Sequence, residues 1–408
     1  MATQNNLKPE LLAPAGNFEK LEIAIHYGAD AVYLAGQDFS LRNFSGNFSL
    51  GEMVHAIDLA HDHEVKVYVA CNIYPRSHEA AGIKDFLASV GRMDPDGVII
   101  SDPGVLLMAR ETMPQVPIHL STQANTTSTN SARFWKAQGV QRINVARELS
   151  LPEIAIMAEE TGMEIEAFVH GAMCMAYSGR CLLSNYMSGR DSNRGMCCHP
   201  CRFQYAVVEE KRPGQYYPLH EDQHGTYIFN AKDLCMIEHL PALIKTGITS
   251  LKIEGRMKGI HYLATALKVY RQAIDAYLKN PDAYDADPVW IEELSKISHR
   301  GYCTGFYLGD PNQVKSNISG AAVNGQKFAA KILSESGDRK ALIDVRNRIR
   351  IHDRIEILSA QRPLQTDTIK QICNLDQDAV DVAHPGTQAI ISLNTTVSKN
   401  DLIRKVAP

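Results

Sequence analysis

From Glu10 to Arg256 the chain repeats one pattern: a short apolar run, in most cases closed or followed by a polar residue, then in most cases a stretch with apolar residues at helical spacing. The runs are ELLAPAG, ADAVYLAG, VKVYVACN, DGVIISD, PIHLSTQA, QRINVARE, EIEAFVHGA and, after a long interruption, ITSLKIEGR. Such alternation is the signature of βα units, because neighbouring parallel strands need a crossover between them. Eight strands are what a closed (β/α)₈ barrel requires. An open doubly wound sheet is the competing solution, but no helix opens on the glycine fingerprint of a dinucleotide site, and PAGNFEK does not supply one. The expected fold is therefore α/β, a TIM-like barrel. In such a barrel the polar residues that close the runs, Asn72, Asp102, Gln123, Arg147, His170, Glu254 and Arg256, gather at the C-terminal face, where active sites are built.

Two segments depart from the pattern. A cysteine-rich insertion over about residues 171–245 includes FQYAVVEEKRPGQYYPLHEDQHGTYIFNAKDL, which reads as a hairpin with a Pro/Gly turn leading into a short helix. Beyond Ile318, KFAAKILSESGDRKALIDVRNRIRIHDRIEILSA alternates strand-like runs with turns, predicting a small antiparallel, β-barrel-like domain over 318–408. The helical stretch from Ile260 to Leu294 joins it to the barrel domain, 1–317. MATQNNLKPE holds no signal core, and no run approaches the roughly 20 apolar residues of a membrane span, so the expected location is the cytoplasm, with no membrane partner.

Five of the nine cysteines, Cys174, Cys181, Cys197, Cys198 and Cys201, crowd into EAFVHGAMCMAYSGRCLLSNYMSGRDSNRGMCCHPCRF. A reducing compartment argues against disulfides. The surrounding Gly, Ser, Asn and Arg offer few apolar neighbours to bury a packing thiol, whereas Cys71, Cys303 and Cys373 stand alone and read as structural. Thiolates on an iron-sulfur cluster, a Cys₄ zinc site and free thiols all stay open. The knuckle from Cys198 to Cys201 lacks the second pair that a zinc ribbon needs. HEDQH, from His220 to His224, formally matches the zinc-protease motif, but that motif works only on a helix, and Pro213, Gly214, Pro218 and Gly225 bracket it. No G-x-S-x-G elbow is present, while FVHGAMC keeps a thiol–histidine pair open through His170.

Taken together, EAFVHGAMCMAYSGRCLLSNY, ELLAPAGNFEKLEIAIHYGADAVYLAG, NRGMCCHPCRF, FNAKDLC and SLKIEGRMK resemble the hallmarks of the collagenase-like peptidase family U32, from Glu10 to about Tyr277. The C-terminal β domain is similar to that family's as well. Within the family the chain looks most like the branch that performs prephenate-dependent hydroxylation of tRNA uridine 34, the wobble base, to 5-hydroxyuridine. The resemblance implies an oxygen-independent enzyme with a 4Fe-4S cluster on Cys174, Cys181, Cys197 and Cys235, with Cys198 or Cys201 as substitutes for the third ligand. It also implies prephenate as co-substrate, with the tRNA anticodon loop and the iron-sulfur assembly machinery as partners. A dicarboxylate of that kind calls for arginine forks, for which Arg194, Arg202 and Arg256 are candidates with Lys252 behind them. Gln123 is a further substrate-binding candidate, and His170, Glu254 and Arg256 are the catalytic ones. Two other classes stay open: a collagenase-like peptidase using a thiol or metal, and a zinc-stabilised RNA-binding module.

A net charge of -4 advertises no nucleic-acid partner, yet from Ile318 onward 13 lysines and arginines face 10 acidic residues. DVRNRIRIHDR brings Arg346, Arg348, Arg350 and Arg354 close together, and alternate residues of a strand share a face. Reversing Arg346, Arg348 and Arg350 to glutamate is expected to weaken tRNA binding and flatten its salt dependence in filter-binding titrations; unchanged binding removes them from any RNA site.

Overall fold

The computed structural model describes residues 8–40, 46–174, 177, 180–192, 196–202, 221–222, 225–226, 232–309, 326–335, 337 and 339–406. All eight anticipated runs are strands of one barrel: β1 (Glu10–Pro14), β2 (Ala31–Leu34), β3 (Lys66–Cys71), β4 (Gly97–Ile100), β5 (Ile118–Leu120), β6 (Arg142–Asn144), β7 (Glu164–Ala172) and β8 (Ile248–Ile253). Each pairs in parallel with the next, and β8 pairs with both β7 and β1, which closes the sheet. The outer ring is α1 (Phe18–His26), α2 (Leu50–His61), α3 (Ala80–Gly91), α4 (Pro103–Thr112), α5 (Thr129–Ala137), α6 (Leu151–Thr161), α7 (Leu240–Lys245) and α8 (Ile260–Lys279).

Short polar side chains start these helices at fixed places. Asn17, Ser49, Asp102 and Ser128 each accept a hydrogen bond from the amide three residues on, satisfying donors that a helix start leaves unpaired. Asp102, grouped above with the residues closing the strands, is thus a helix cap.

Along the strands, outward and inward residues alternate. Leu11, Ala13, Val67 and Val69 join the large core shared with the helices, while Leu12, Tyr68, Ala70 and Ile99 form a separate plug inside the barrel. Below that plug the interior is ionic. Arg142 lies 2.6 Å from Glu10 and 2.7 Å from Glu164, and Tyr68 and Ser250 donate to Glu10 at 2.5 and 2.8 Å.

Within the insertion, Glu221–Asp222 pairs antiparallel with Gly225–Thr226, so Glu221 and Asp222, the described residues of HEDQH, lie on a strand where the zinc-protease motif needs a helix. The rest of the anticipated hairpin lies outside the described residues, as does the boundary at residue 318. Asp233–Cys235 adds antiparallel to the end of β7. The joining segment is two helices, because Asn280 ends α8 and Pro281 opens a new turn before Pro288–Ser295.

The C-terminal domain is a seven-stranded antiparallel sheet. Its two edge strands, Gln365–Thr368 and Gln371–Cys373, are separated by only two residues of chain, so the sheet must curl back on itself. This domain is welded to the barrel. Arg404, fully buried, donates to Glu293 at 2.6 Å and to Glu356 at 2.6 Å, and the Tyr27 hydroxyl donates to the Leu358 carbonyl at 2.7 Å. Arg346 does not extend an arginine strip. It sits in the turn after Lys340–Val345 and pairs with Asp344 and with Glu19 of α1, so of the three arginines above only Arg348 and Arg350 test RNA binding without disturbing this contact.

His261 lies in the same seam, its ring stacked on Phe328 at 5.8 Å. Burial, reinforced by Arg404 and opposed by Glu293, holds it down to about 4. The unfolded chain therefore takes up this proton first, near pH 6.5, and stability is lost as pH falls from there toward 4. A shift of that size corresponds to a loss on the order of 3 kcal/mol. Urea midpoints measured between pH 7 and 4 are expected to fall less steeply in His261→Phe, which keeps the stack and removes the titration.

Candidate functional site

At the C-terminal end of the barrel the inward-facing strand residues open into a cavity of about 630 Å³. Tyr33, Asn72, Ser121, Asn144, Phe168 and Lys252 come from six different strands or their ends, and the cysteine-rich insertion forms the opposing wall. Among the described residues, Arg147, Arg180, Lys252, Arg256 and Lys258 line it against one carboxylate, Glu254. The Arg147 guanidinium lies 4.0 Å over the Phe168 ring. Arg256 donates to Asn47, and its carbonyl accepts from Lys20 at 2.6 Å.

Lys252 is buried and spent locally: its ammonium lies 2.6 Å from Glu166 and 4.4 Å over Tyr33. Burial lowers its pKa, and Glu166 holds the charged form against that pull. Gln123 and Asn144 are different. Their side-chain oxygens are buried with no hydrogen-bond partner among the described residues, and both residues line the cavity, so they are positioned to receive a donor from a ligand.

Of the anticipated residues, Gln123, Lys252, Glu254 and Arg256 meet in this cavity. Arg194 lies outside the described residues, and for Arg202 only the backbone turn Pro200–Arg202 is described. His170 does not reach the cavity. Its ring is enclosed by Tyr262, Tyr270 and Tyr302 at 5.6, 5.6 and 5.4 Å. Burial, with Lys258 and His299 adding repulsion, holds it down to about 3, so at neutral pH the packed ring is uncharged. Next to it Gly171 has φ +110, and a Cβ there would meet the Glu254 carbonyl at 2.5 Å. Glycine lets β7 and the Glu254 turn close on each other.

The cysteines divide in the same way. Cys174, Cys181, Cys197 and Cys201 line one wall of the cavity. His199, in the left-handed region at φ 56, turns the chain so that Cys197 and Cys201 come to that wall. Cys198 is turned toward the helix Leu183–Ser188, its sulfur 3.3 Å from the Ser184 hydroxyl and 3.0 Å from that of Ser188. Cys235, anticipated with the cluster, does not line the wall. It lies 4.0 Å from the Tyr270 hydroxyl, and burial pushes its thiol up to about 11. Four thiols on one wall form a donor set suited to a soft metal or an iron-sulfur group. As they stand, no three His, Cys, Asp or Glu side chains among the described residues are gathered to hold a metal ion.

The family model for peptidase family U32 matches residues 16–317, and the model for the U32 C-terminal domain matches residues 324–404. The chain belongs to peptidase family U32. Similar relatives include tRNA hydroxylation protein P1 of Bacillus subtilis, 39% identical over 98% of this chain and 95% of its own length. Another is tRNA hydroxylation protein P of Escherichia coli, 38% identical over 93% of this chain and 92% of its own. A Porphyromonas gingivalis protein named collagenase is 32% identical over 74% of this chain and 73% of its own.

Asn144, Ser121 and Phe168 escaped the reading of the strand ends, although period-two alternation points to them: Asn144 lies two residues past the inward Arg142, and Phe168 two past Glu166. The Lys252–Glu166 pair carries a direct test. Lys252→Met takes the 2.6 Å partner from the buried carboxylate and leaves Arg142 at 3.8 Å to offset part of its charge, which costs about 3 kcal/mol. The double variant with Glu166→Gln is expected to recover most of that loss in chemical denaturation, since the uncompensated charge is gone.

Proposed function

We propose that this U32 family member hydroxylates uridine 34 in the tRNA anticodon loop to 5-hydroxyuridine, with prephenate as the oxygen-supplying co-substrate and a 4Fe-4S cluster held by cysteines. The observation that carries the reading is near full-length similarity to two relatives named as tRNA hydroxylation proteins. The cavity supports it chemically. Uracil presents an N–H donor between two carbonyl acceptors, and Asn72, Ser121, Gln123 and Asn144 offer neutral donors and acceptors to such an edge. Arg147 and Arg256 supply the cationic forks that a dicarboxylate requires.

Cys174, Cys181 and Cys197 would hold the cluster, with the fourth thiolate from Cys201 on the same wall or from Cys235. When bound, such a cluster supplies one-electron chemistry close to the substrate. The chain's own contribution is to bind and orient: the amide floor positions the base, the arginines fix the dicarboxylate, and Glu254 is the carboxylate placed to accept or deliver a proton.

The test is anaerobic purification with iron and sulfide analysis, then incubation with undermodified tRNA and prephenate, with nucleosides read by mass spectrometry. Iron and sulfide of about four each are expected, lost in Cys174→Ala, Cys181→Ala, Cys197→Ala and one of Cys201→Ala and Cys235→Ala, and retained in Cys198→Ala. 5-Hydroxyuridine should form only with prephenate present. Gelatin hydrolysis without tRNA modification would overturn the proposal in favour of the peptidase reading; tRNA binding by a zinc protein without product would favour the binding module.

A further inference from the structure

The mouth of the cavity carries a feature that holding a uracil base and a dicarboxylate does not require. Tyr186 is 91% exposed, and Leu182 (67%), Tyr177 (55%) and Met257 (50%) are exposed around it, all lining the same opening. Large apolar side chains left this bare at a cavity rim mark a contact surface. Leu182 and Tyr186 are four residues apart on one helical turn, where the Tyr186 amide donates to the Leu182 carbonyl at 2.9 Å, so they share a face. Tyr177 is held beside exposed Arg180 by a turn in which the Arg180 amide donates to the Tyr177 carbonyl at 3.0 Å. The Ser192 hydroxyl donates to the Cys181 carbonyl at 2.6 Å, tying the two arms of the insertion together under this rim.

We propose that this rim is a stacking platform for the unpaired nucleotides on either side of the base that enters the cavity, with Tyr186 and Tyr177 as its two ring faces and Arg180 as its phosphate contact. This rests on the tRNA reading above and adds the residues that present the loop. The occupant follows from charge and shape. A purely apolar partner would bring nothing to Arg180 and Lys258, the lining cations that are not buried, whereas single-stranded RNA offers bases to the rings and phosphates to the cations. Flanking bases must also be unstacked for a central base to leave the loop, and exposed rings return the stacking that is lost.

The experiment is fluorescence anisotropy with a labelled 17-nucleotide anticodon stem-loop carrying uridine 34, over a salt series, using the full chain purified anaerobically. Tyr186→Ala and Tyr177→Ala are each expected to weaken binding by roughly 5- to 100-fold with the slope of log affinity against log salt unchanged. Tyr186→Trp is expected to bind like the parent. Arg180→Ala should instead reduce that slope by about 0.7, the loss of one single-strand phosphate contact. Circular dichroism and iron content matching the parent separate these effects from misfolding. Parent binding unaffected by both tyrosine variants would overturn the platform and leave the tRNA reading standing. A parent that does not bind the stem-loop at all would overturn both. Should the tyrosine variants instead lose self-association on gel filtration while binding RNA normally, the rim is a contact between copies of the chain and the platform is refuted.

Discussion

Closure of the sheet between β7 and β8 is the constraint on which the rest depends. Seven parallel strands alone would leave two unpaired edges; with β8 bonded to both β7 and β1, every strand's inner face looks into one enclosed column. Buried ions lie at this seam. Lys252 of β8 meets Glu166 of β7, and Ser250 of β8 and Arg142 of β6 both reach Glu10 of β1. Buried pairs of this kind add little net stability against an apolar alternative, but a shifted register would strand the charges, so they favour one alignment. That alignment brings Lys252, Glu254 and Arg256 to the cavity.

The second constraint is the C-terminal domain, which packs against α1, α8 and Pro288–Ser295 rather than against the cavity. Leu358 and Leu402 belong to the barrel's own core, and Arg404 is shared between the two domains. A fully buried arginine is tolerated only when its charge is met, and two carboxylates meet it here. Lys268 of α8, held down to about 8 by burial, donates to the Arg362 carbonyl at 2.8 Å across the same seam. The two domains therefore hold their relative placement through buried polar contacts, and any RNA surface on the small domain has a defined position relative to the barrel.

How legible all this was in the sequence depended on the range of the forces involved. The eight strands were readable because their outer faces are apolar and most of them close on a polar residue, both local properties. Gln123, Glu254 and Arg256 followed from that alone, while Lys252 was anticipated only as a cation for the dicarboxylate that the resemblance implies. His170 looked like a site residue from its neighbours in the chain, but its surroundings are built by Tyr262, Tyr270 and Tyr302, roughly a hundred residues later, and those rings decide its ionisation. Spacing could not separate Cys197 from Cys198 either, since the difference lies in one left-handed residue, His199, and in two serines on a neighbouring helix. Arg346 left the arginine strip for a related reason: the chain turns there, where a regular strand would have continued, and Glu19 takes up its charge.

The charges around the cavity sort by function once burial is considered. Lys252 is neutralised by Glu166 at 2.6 Å and stiffens the floor; it has little field left for a ligand. The amides of Asn72, Gln123 and Asn144 carry no net charge, so they can read a neutral base without paying for an ion. Arg147 and Arg256, buried but lining the cavity, keep a positive field where water is scarce and the field is strong. Arg180, exposed at the rim, acts through solvent and is screened by salt. Under the proposed function, a dicarboxylate is drawn inward to the buried arginines, while a phosphate chain too bulky to follow is held at the rim. In a molecule of net charge -4 these cations gather positive charge at one end of the barrel, the end where the thiols stand.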